Sequence, residues 1–573
     1  MVFLIETLMP NTPGNLLILF EIGIMIIVAG ILAFIFRMIK QPRIPAYVIA
    51  GIILGPLALG LIKSSDVVLA LSEIGVAFLL FFAGLDIDFR NLKKVGKTAI
   101  FAGIWQMIIV SIIAVAIFFS WKLKSTELIY ASLVVAFSST MVVIKLLADK
   151  EELNSLHGRI IVGILLIQDV AAIIALTIMT TSLTLTTISL SLIKALLFVV
   201  FAFILAKISG PILKISAKSS ELILIISLGF LFIFSIAAYS FGLSLVIGSF
   251  FAGVVLANTE FKTDIKGRIN PLRDFFGAIL FVSLGMQLVW IPKSYLGLFA
   301  ILIFLIMVIK PLIIIMLIRV FGYTNRTAFL SGNHLGQSSE FALILLTQAL
   351  VLGQISQNIF SILVFVTIIT MSLTGYFVKY ESRLYKIFSV PAKIFDRLPA
   401  RKEELNYGII DKKRIVIFGC HRMGTMILKK FSSIKNDLLI IDFNPEIIHS
   451  LIQKKIPCMY GDYANPEIIK KLSMMKPEII ISTIPDKEDN INLIEKIKKI
   501  NSKALIIVVA DRIHEALELY KKGADYVILP KVISGIQIGD LLDKIKRDRK
   551  GVKKREIDFL NEIHYYMYNG DNN

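Results

Sequence analysis

Uncharged apolar runs of about twenty residues recur along the first two thirds of this chain, separated by short polar breaks. As a helix, such a run satisfies its own backbone hydrogen bonds and matches the hydrocarbon thickness of a bilayer. Thirteen runs fall at roughly 15–36, 44–62, 67–85, 98–120, 127–147, 158–180, 190–209, 220–240, 242–258, 272–291, 296–318, 327–351 and 356–378. They predict a polytopic all-α membrane domain of 13 spans, and an odd number puts its two ends on opposite sides. Composition agrees: 56% of residues are hydrophobic and mean hydropathy is +0.79, which excludes an ordinary soluble protein. The first long run, Leu16 to Phe36, is long enough to stay as a span rather than be cleaved as a signal peptide.

Charge sets the orientation. One set of loops carries 19 Lys and Arg, including Arg90, Lys93, Lys94 and Lys97; the other carries 5, at Lys63, Lys122, Lys124, Lys194 and Lys293. Basic loops stay inside, so the N-terminus is expected outside and everything after Tyr380 in the cytoplasm of a multi-pass cell-membrane protein. Up to Tyr380 there are 26 basic and 16 acidic residues, net +10; the remainder holds 35 and 26, net +9, for the chain's +19. The basic residues of the first part follow topology, so the high pI does not imply a nucleic-acid partner. Cys420 and Cys458, the two cysteines, both lie in the polar remainder and imply no disulfide framework.

Within the runs, a few polar residues carry the chemistry. Asp169, preceded by Gln168, sits in IIVGILLIQDVAAIIALTIMT. A carboxylate at that depth costs on the order of 3 kcal/mol on insertion scales, and an acid kept there marks an ion or proton path. One acid holds one proton or one monovalent cation, K⁺ or Na⁺, but not both; that competition is itself a one-for-one exchange mechanism. Lys310 lies deep in ILIFLIMVIKPLIIIMLIRV, followed by Pro311, and needs a partner, for which Asp169 is the candidate. Glu340 follows Gly336-Gln337-Ser338-Ser339 in NHLGQSSEFALILL, and Ser138-Ser139-Thr140 form a similar polar stretch in VVAFSSTMVVIKLL. Two such interruptions, one in each half, predict broken helices of an inverted repeat whose half-helix ends line an ion site. Glu21, Glu73 and Glu221 lie near span ends and are expected at the interface.

After a charged stretch, 380–413, taken as a linker, the pattern becomes alternating β and α. RIVIFG, LLIIDFNP, PCMYGD, EIIISTIPD, ALIIVVAD and DYVILP read as strands, with helix-like stretches between, which predicts a doubly wound parallel sheet over 414–545 and a peripheral tail at 546–573. The first turn runs Gly419, Cys420, His421, Arg422, Met423, Gly424, and Asp442 ends the second strand. Gly419 suits a tight turn, Gly424 close helix–strand packing and Asp442 a ribose hydroxyl; His421 stands where a middle glycine would let backbone approach a pyrophosphate. Cys420 reads as a buried structural thiol. His421, His449 and His514 lack metal spacing, and no catalytic constellation is visible, so no enzyme and no redox cofactor is expected.

The stretches PAYVIAGIILGPLALG, EIGVAFLLFFAGLDID, AFSSTMVVIKLLADK, HGRIIVGILLIQDVAAI, IGSFFAGVVLAN, PLRDFFGAILFVSLGMQL and GQSSEFALIL make the membrane part resemble the monovalent cation:proton antiporter-2 family, in its Kef-type potassium-efflux branch. That resemblance implies a core of spans 4–6 and 11–13, with broken spans 5 and 12 crossing, moving against a dimerisation scaffold. It implies that Asp169 is the ion- and proton-binding acid, Gln168 its Gln-Asp partner and Lys310 the core lysine; the Gln-Asp form is commoner in potassium-linked members. Residues 414–545 resemble the nucleotide-binding N-terminal lobe of potassium-conductance regulators. Tyr460-Gly461-Asp462 matches that domain's YGD turn, and adenine nucleotide, AMP or NAD(H), is the implied regulator, with Arg422 and Arg512 as candidate phosphate contacts. The loop NTEFKTDIKGRINPLRD is less acidic than the glutathione-gated members' loop, so glutathione is not carried over. Two other readings stand beside a homodimeric, nucleotide-gated antiporter. A K⁺ channel or uptake subunit would lack a TVGYG-like filter, and a membrane-anchored dinucleotide enzyme would lack catalytic groups.

Overall fold

The computed structural model describes residues 14–39, 41–62, 66–86, 96–150, 152–153, 155–179, 185–216, 219–389, 406–407, 413–420, 422–430, 437–461, 466–536 and 538. The chain forms two compact units, one of residues 1–153, 157–321 and 327–398, the other of 154–156, 322–326 and 399–573.

The first unit is helical. Its helices are α1 (Gly14–Met38), α2 (Arg43–Leu54), α3 (Asp66–Asp86), α4 (Lys97–Ser120), α5 (Ser125–Ala136), α6 (Thr140–Asp149), α7 (Leu156–Met179), α8 (Leu185–Ser216), α9 (Ser220–Ser240), α10 (Leu245–Ala257), α11 (Lys262–Met286), α12 (Leu296–Phe304), α13 (Lys310–Val320), α14 (Asn325–His334), α15 (Glu340–Val351), α16 (Gln357–Lys379) and α17 (Glu381–Ser389). Among the described residues, eight helical stretches are long and apolar enough to cross a membrane; Arg43–Leu54, Leu245–Ala257 and Glu340–Val351 are shorter apolar helices. Serines set several starts: Ser219 accepts from the Leu222 N–H and Ser244 from the Val246 N–H.

Small residues decide how these helices pack, because lipid gives apolar side chains little reason to leave it. A Cβ on Gly253 would lie 2.0 Å from the Phe81 carbonyl oxygen, and one on Gly84 would lie 2.2 Å from that of Phe250. Helices α3 and α10 therefore touch backbone to backbone. Gly51 and Gly285 do the same for α2 and α11. Apolar side chains with large exposed fractions, such as Phe34, Ile112 and Ile236, cover the outer helix faces.

Some sequence expectations shift. The run at 44–62 is helical only to Leu54, and that at 190–209 lies inside a 32-residue helix, Leu185–Ser216, which contains Pro211. Glu73 and Glu221 are exposed, but Glu21 is buried within α1. The stretch taken as linker contains α17 and a short strand.

The second unit carries β1 (Asn406–Tyr407), β2 (Ile415–Phe418), α18 (Arg422–Lys430), β3 (Leu438–Asp442), α19 (Pro445–Gln453), β4 (Cys458–Tyr460), α20 (Pro466–Met475), β5 (Ile479–Ser482), α21 (Lys487–Ile500), β6 (Leu505–Val509), α22 (Ile513–Lys521) and β7 (Tyr526–Ile528). The strand order is β1-β4-β3-β2-β5-β6-β7, parallel throughout except for β1, which pairs antiparallel with β4. The order reverses between β2 and β5, where doubly wound sheets open their binding crevice. Buried side chains fill both sheet faces, Val416, Leu439, Ile480 and Val508 on one, Ile417, Ile440 and Cys458 on the other. Buried Asn490 ties α21 to the sheet, accepting from Ser482 Oγ and donating to the carbonyls of Ile484 and Val509.

Candidate functional site

The polar stretches predicted to interrupt two helices do so. Between α5 and α6 the chain is extended at Phe137 (φ −78°, ψ 152°) and Ser139 (φ −74°, ψ 115°); between α14 and α15 it is extended at Ser339 (φ −107°, ψ 152°). Serine hydroxyls offer the backbone alternatives to the helix ladder and then cap the helix that follows. Ser139 accepts from the Val142 N–H and Ser339 from the Phe341 N–H.

The interruptions are bound to each other. Ser138 Oγ donates to the Leu335 carbonyl at 3.0 Å, and Ser338 Oγ to that of Val134 at 2.6 Å. The Ser138 N–H donates to Gln168 Oε1 of α7, and the Ser338 N–H to Thr370 Oγ1 of α16. Each break is thus held by a polar residue of the second helix after it, in matching arrangements, as an inverted repeat requires.

Helix polarity explains where the charges sit. The amino ends of α6 and α15 carry partial positive charge, and the carboxyl ends of α5 and α14 partial negative charge. Both carboxylates are at the amino ends. Thr140, first residue of α6, donates to Asp169 Oδ1 and Oδ2, each at 2.9 Å. Glu340, first residue of α15, accepts from the Met141 N–H at 3.2 Å. Asp169 retains partial solvent access whereas Glu340 is buried. Glu340 Oε2 and Gln337 Oε1 are buried and have no hydrogen-bond partner.

Lys310 occupies the carboxyl ends, and here the structure corrects the expected Lys310–Asp169 pair. Fully buried, its ammonium donates to the carbonyls of Val135 (3.2 Å), Phe137 (2.7 Å) and Gln337 (2.8 Å), and it makes no ion pair with Asp169. Three donors meet three carbonyls that the breaks leave without helical partners. One turn of π-helix, Leu305–Ile309, precedes Lys310, and Pro311 removes a donor just after it, so the regular hydrogen-bond ladder is interrupted on both sides of the lysine.

Gln168 does not face an open site. Its oxygen accepts from Ser138, and its amide donates to Gln106 Oε1; Gln106 in turn donates to the Ala136 carbonyl. Gln106 was missed in the sequence, where it is a lone amide in IWQMIIV; its depth in an apolar run was the available signal.

In the second unit the first turn has the expected glycine geometry. Gly419 has φ +85°, and a Cβ on Gly424 would lie 2.2 Å from the Gly419 carbonyl oxygen. Asp442 stands beside this turn: Oδ2 accepts from the Cys420 N–H and Oδ1 from the Asn444 N–H, both at 2.7 Å. Met423 lies in the first turn of α18 and is partly buried, and Arg422 begins that helix. Arg512 is exposed beyond the end of β6, two strands from β2. His421 and Asp462 lie outside the described residues. Burial pushes the Cys420 thiol up to about 12, with the Asp442 carboxylate adding to the effect.

The profile of the family described as sodium/hydrogen exchanger, transmembrane, matches residues 23–380, and that of the TrkA-N domain matches residues 415–530. K(+) efflux antiporter 4 of Arabidopsis thaliana is 29% identical over 350 residues, which are 58% of this chain and 59% of that protein. The glutathione-regulated potassium-efflux system protein KefC of Salmonella schwarzengrund (strain CVM19633) is 26% identical over 493 residues, 83% of this chain and 77% of KefC. The solved structure of the sodium proton antiporter MjNhaP1 from Methanocaldococcus jannaschii has 16% identity and a TM-score of 0.47, covering 64% of this chain and 97% of that one. The match thus spans about three fifths of the plant relative. By the reach of the first profile, the chain belongs to the sodium/hydrogen exchanger transmembrane family, with a TrkA-N domain behind the transmembrane part.

Proposed function

We propose that this protein exchanges a monovalent cation, K⁺ in preference to Na⁺, for H⁺ by alternating access, with Asp169 carrying either ion in turn. The observation that carries the reading is the polarity of the crossing. Asp169, bonded to Thr140, lies at a half-helix amino end, while Lys310 neutralises the opposite ends through three carbonyls. Positive charge is therefore fixed away from Asp169, which remains available to a mobile cation or proton. Ser138, Ser139, Thr140, Gln168 and Glu340 shape the site around it. The printed names of the relatives, K(+) efflux antiporter and potassium-efflux system protein, support K⁺ as the cation.

In this reading thirteen spans cross the membrane, the N-terminus is outside, 380–413 links the transport domain to a cytoplasmic domain at 414–545, and the protein works as a homodimer. The cytoplasmic domain binds an adenine nucleotide that gates transport. The residues fit such a ligand: Gly419 and Gly424 keep the first turn close to the sheet, and Asp442 ends the strand beside that turn, where an acid can bond a ribose hydroxyl. Met423, Arg422, His421, Asp462 and Arg512 are the remaining candidates. The test is a pH-gradient assay in proteoliposomes, with K⁺ or Na⁺ outside, with and without AMP or NAD. K⁺-dependent proton movement that is lost in Asp169→Asn is expected. Movement retained in that variant overturns the mechanism.

A further inference from the structure

A groove of about 320 Å³ runs along the outside of the transport unit, on the far side of Lys310 from Asp169's helix end. Its floor is the seam between α13 and α14, where a Cβ on Gly336 would lie 2.9 Å from the Pro311 ring. One wall is the outer face of α13 and the π-turn before it, with Val308 and Leu312 about two fifths exposed. The other is α17, through Leu384, Ile387 and Phe388. Helix α17 is held in place over the groove. The Phe329 ring of α14 lies 5.1 Å from Phe388 and 5.4 Å from Tyr385, and Glu381 pairs with Lys150.

The lining decides what can fill it. Its polar side chains turn inward: Asn333 Nδ2 donates to the Phe377 carbonyl and Thr374 Oγ1 to that of Thr370. Water finds few partners there, and a gap of this size left empty forfeits the dispersion contacts of its walls. Val308, Leu312, Met316 and Val320 are exposed along one apolar stretch long enough to cross a membrane, Lys293–Val320. In a bilayer the groove therefore opens onto acyl chains. Hydrocarbon alone selects nothing, because a chain leaving bulk lipid for the groove is equally apolar in both places.

Selection comes from the rim. Lys379 ends α16 two residues after Phe377, which lines the groove, and Arg383 shares a face of α17 with Ile387, one turn on. The Lys379 ammonium lies 5.4 Å and the Arg383 guanidinium 5.7 Å from the Tyr380 ring centre, so both cations gather at one aromatic. All three side chains are exposed, and among the described residues neither cation has an ion-pair partner. Two unpaired cations and an interfacial tyrosine above a hydrocarbon slot complement a phosphate that carries an acyl chain. We propose that this groove binds an anionic phospholipid, with its phosphate at Lys379 and Arg383 and one acyl chain running along α13 to Pro311. The lipid braces the crossing from behind, since Pro311 follows Lys310 and Gly336 precedes Gln337, whose carbonyl accepts from that lysine. The site goes beyond the exchange reading and does not depend on it.

Lipid titration of the full-length protein in detergent, read by its thermal unfolding midpoint, tests this. Dioleoyl phosphatidylglycerol should raise the midpoint at a concentration at least about tenfold below that needed of dioleoyl phosphatidylcholine. Each surface cation contributes about a factor of five. Lys379→Gln combined with Arg383→Gln should therefore raise the half-effective phosphatidylglycerol concentration about tenfold or more. Lys122→Gln combined with Lys293→Gln, which removes two exposed charges elsewhere, should leave it unchanged. Leu312→Trp puts an indole into the groove and should abolish the preference for the anionic lipid; the rim pair decides if that variant does not fold. Equal responses to the two lipids in the parent overturn the proposal. So does an equal loss in the control pair, which would mean general attraction of anionic lipid to a basic surface. Glycerol 3-phosphate matching the lipid would mean a phosphate site without a chain, and overturns it too. Asp169→Asn should respond to lipid as the parent does, so a failure of the exchange reading leaves this result standing.

Discussion

The hydroxyl of Thr140 lies 2.9 Å from each carboxylate oxygen of Asp169, one residue beyond the break that starts α6. This contact joins the acid to a helix end rather than to a basic side chain. Thr140→Val keeps the shape and removes the donor. A hydrogen bond to a charged group contributes about 1.5–3 kcal/mol, so the cation concentration for half-maximal exchange should rise by about tenfold or more. Proteoliposome titration with K⁺ checks this, and an unchanged half-maximum would remove Thr140 from the site.

Lys310 is satisfied by carbonyls, so the two charged residues should behave independently in stability. Lys310→Ala strands three buried acceptors at a cost of about 3 kcal/mol or more. Its thermal midpoint in detergent should fall sharply. Asp169→Asn should melt like the parent. A comparable loss in Asp169→Asn would restore the direct ion pair that the geometry lacks.

The nucleotide reading turns on the first turn of the sheet. Gly424→Val would drive a side chain into the Gly419 carbonyl, and α18 would have to move away from β2. Asp442→Ala frees two backbone N–H groups and removes the ribose acceptor. Both variants should lose thermal stabilisation by AMP or NAD. For scale, a saturating ligand at a hundred times its Kd stabilises by about 2.7 kcal/mol. Undiminished stabilisation in both would move the site elsewhere.

Cys420 should be inert while the domain is folded. Its thiol is pushed up to about 12, mainly by burial, against about 8.5 for a free cysteine. The neutral thiol is favoured by folding, so this stabilisation is complete below about pH 8.5 and is lost as pH rises toward 12. Maleimide labelling at pH 8 should therefore need denaturant, and stability should fall less steeply above pH 8.5 in Cys420→Ala than in the parent. Rapid labelling of the native protein would contradict the burial.

Much of this architecture was legible because its signals are local. Apolar run length announces membrane helices, and paired serines inside an apolar run announce a break, since hydroxyls compete for backbone partners within a turn. The glycine turn and Asp442 follow from strand-turn-helix chemistry alone. Lys310 shows what was not legible. Its charge invited an acidic partner, but its acceptors are carbonyls delivered from two breaks, one of them as far as 175 positions away, and carbonyls carry no signature in a sequence. Gln106 was hidden for the same reason, as was the backbone contact between Gly84 and Gly253, which only tertiary packing reveals.

The reciprocal bonds of Ser138 and Ser338 have a mechanical consequence. Two interrupted helices could flex independently, each acting as a loose joint in the bilayer. Here each break is laced to the other half's backbone, and Lys310 rivets both from the side. The crossing has little slack, so it behaves as an axle: in the antiport reading, a motion that exposed Asp169 to one face and then the other would carry both broken helices with it.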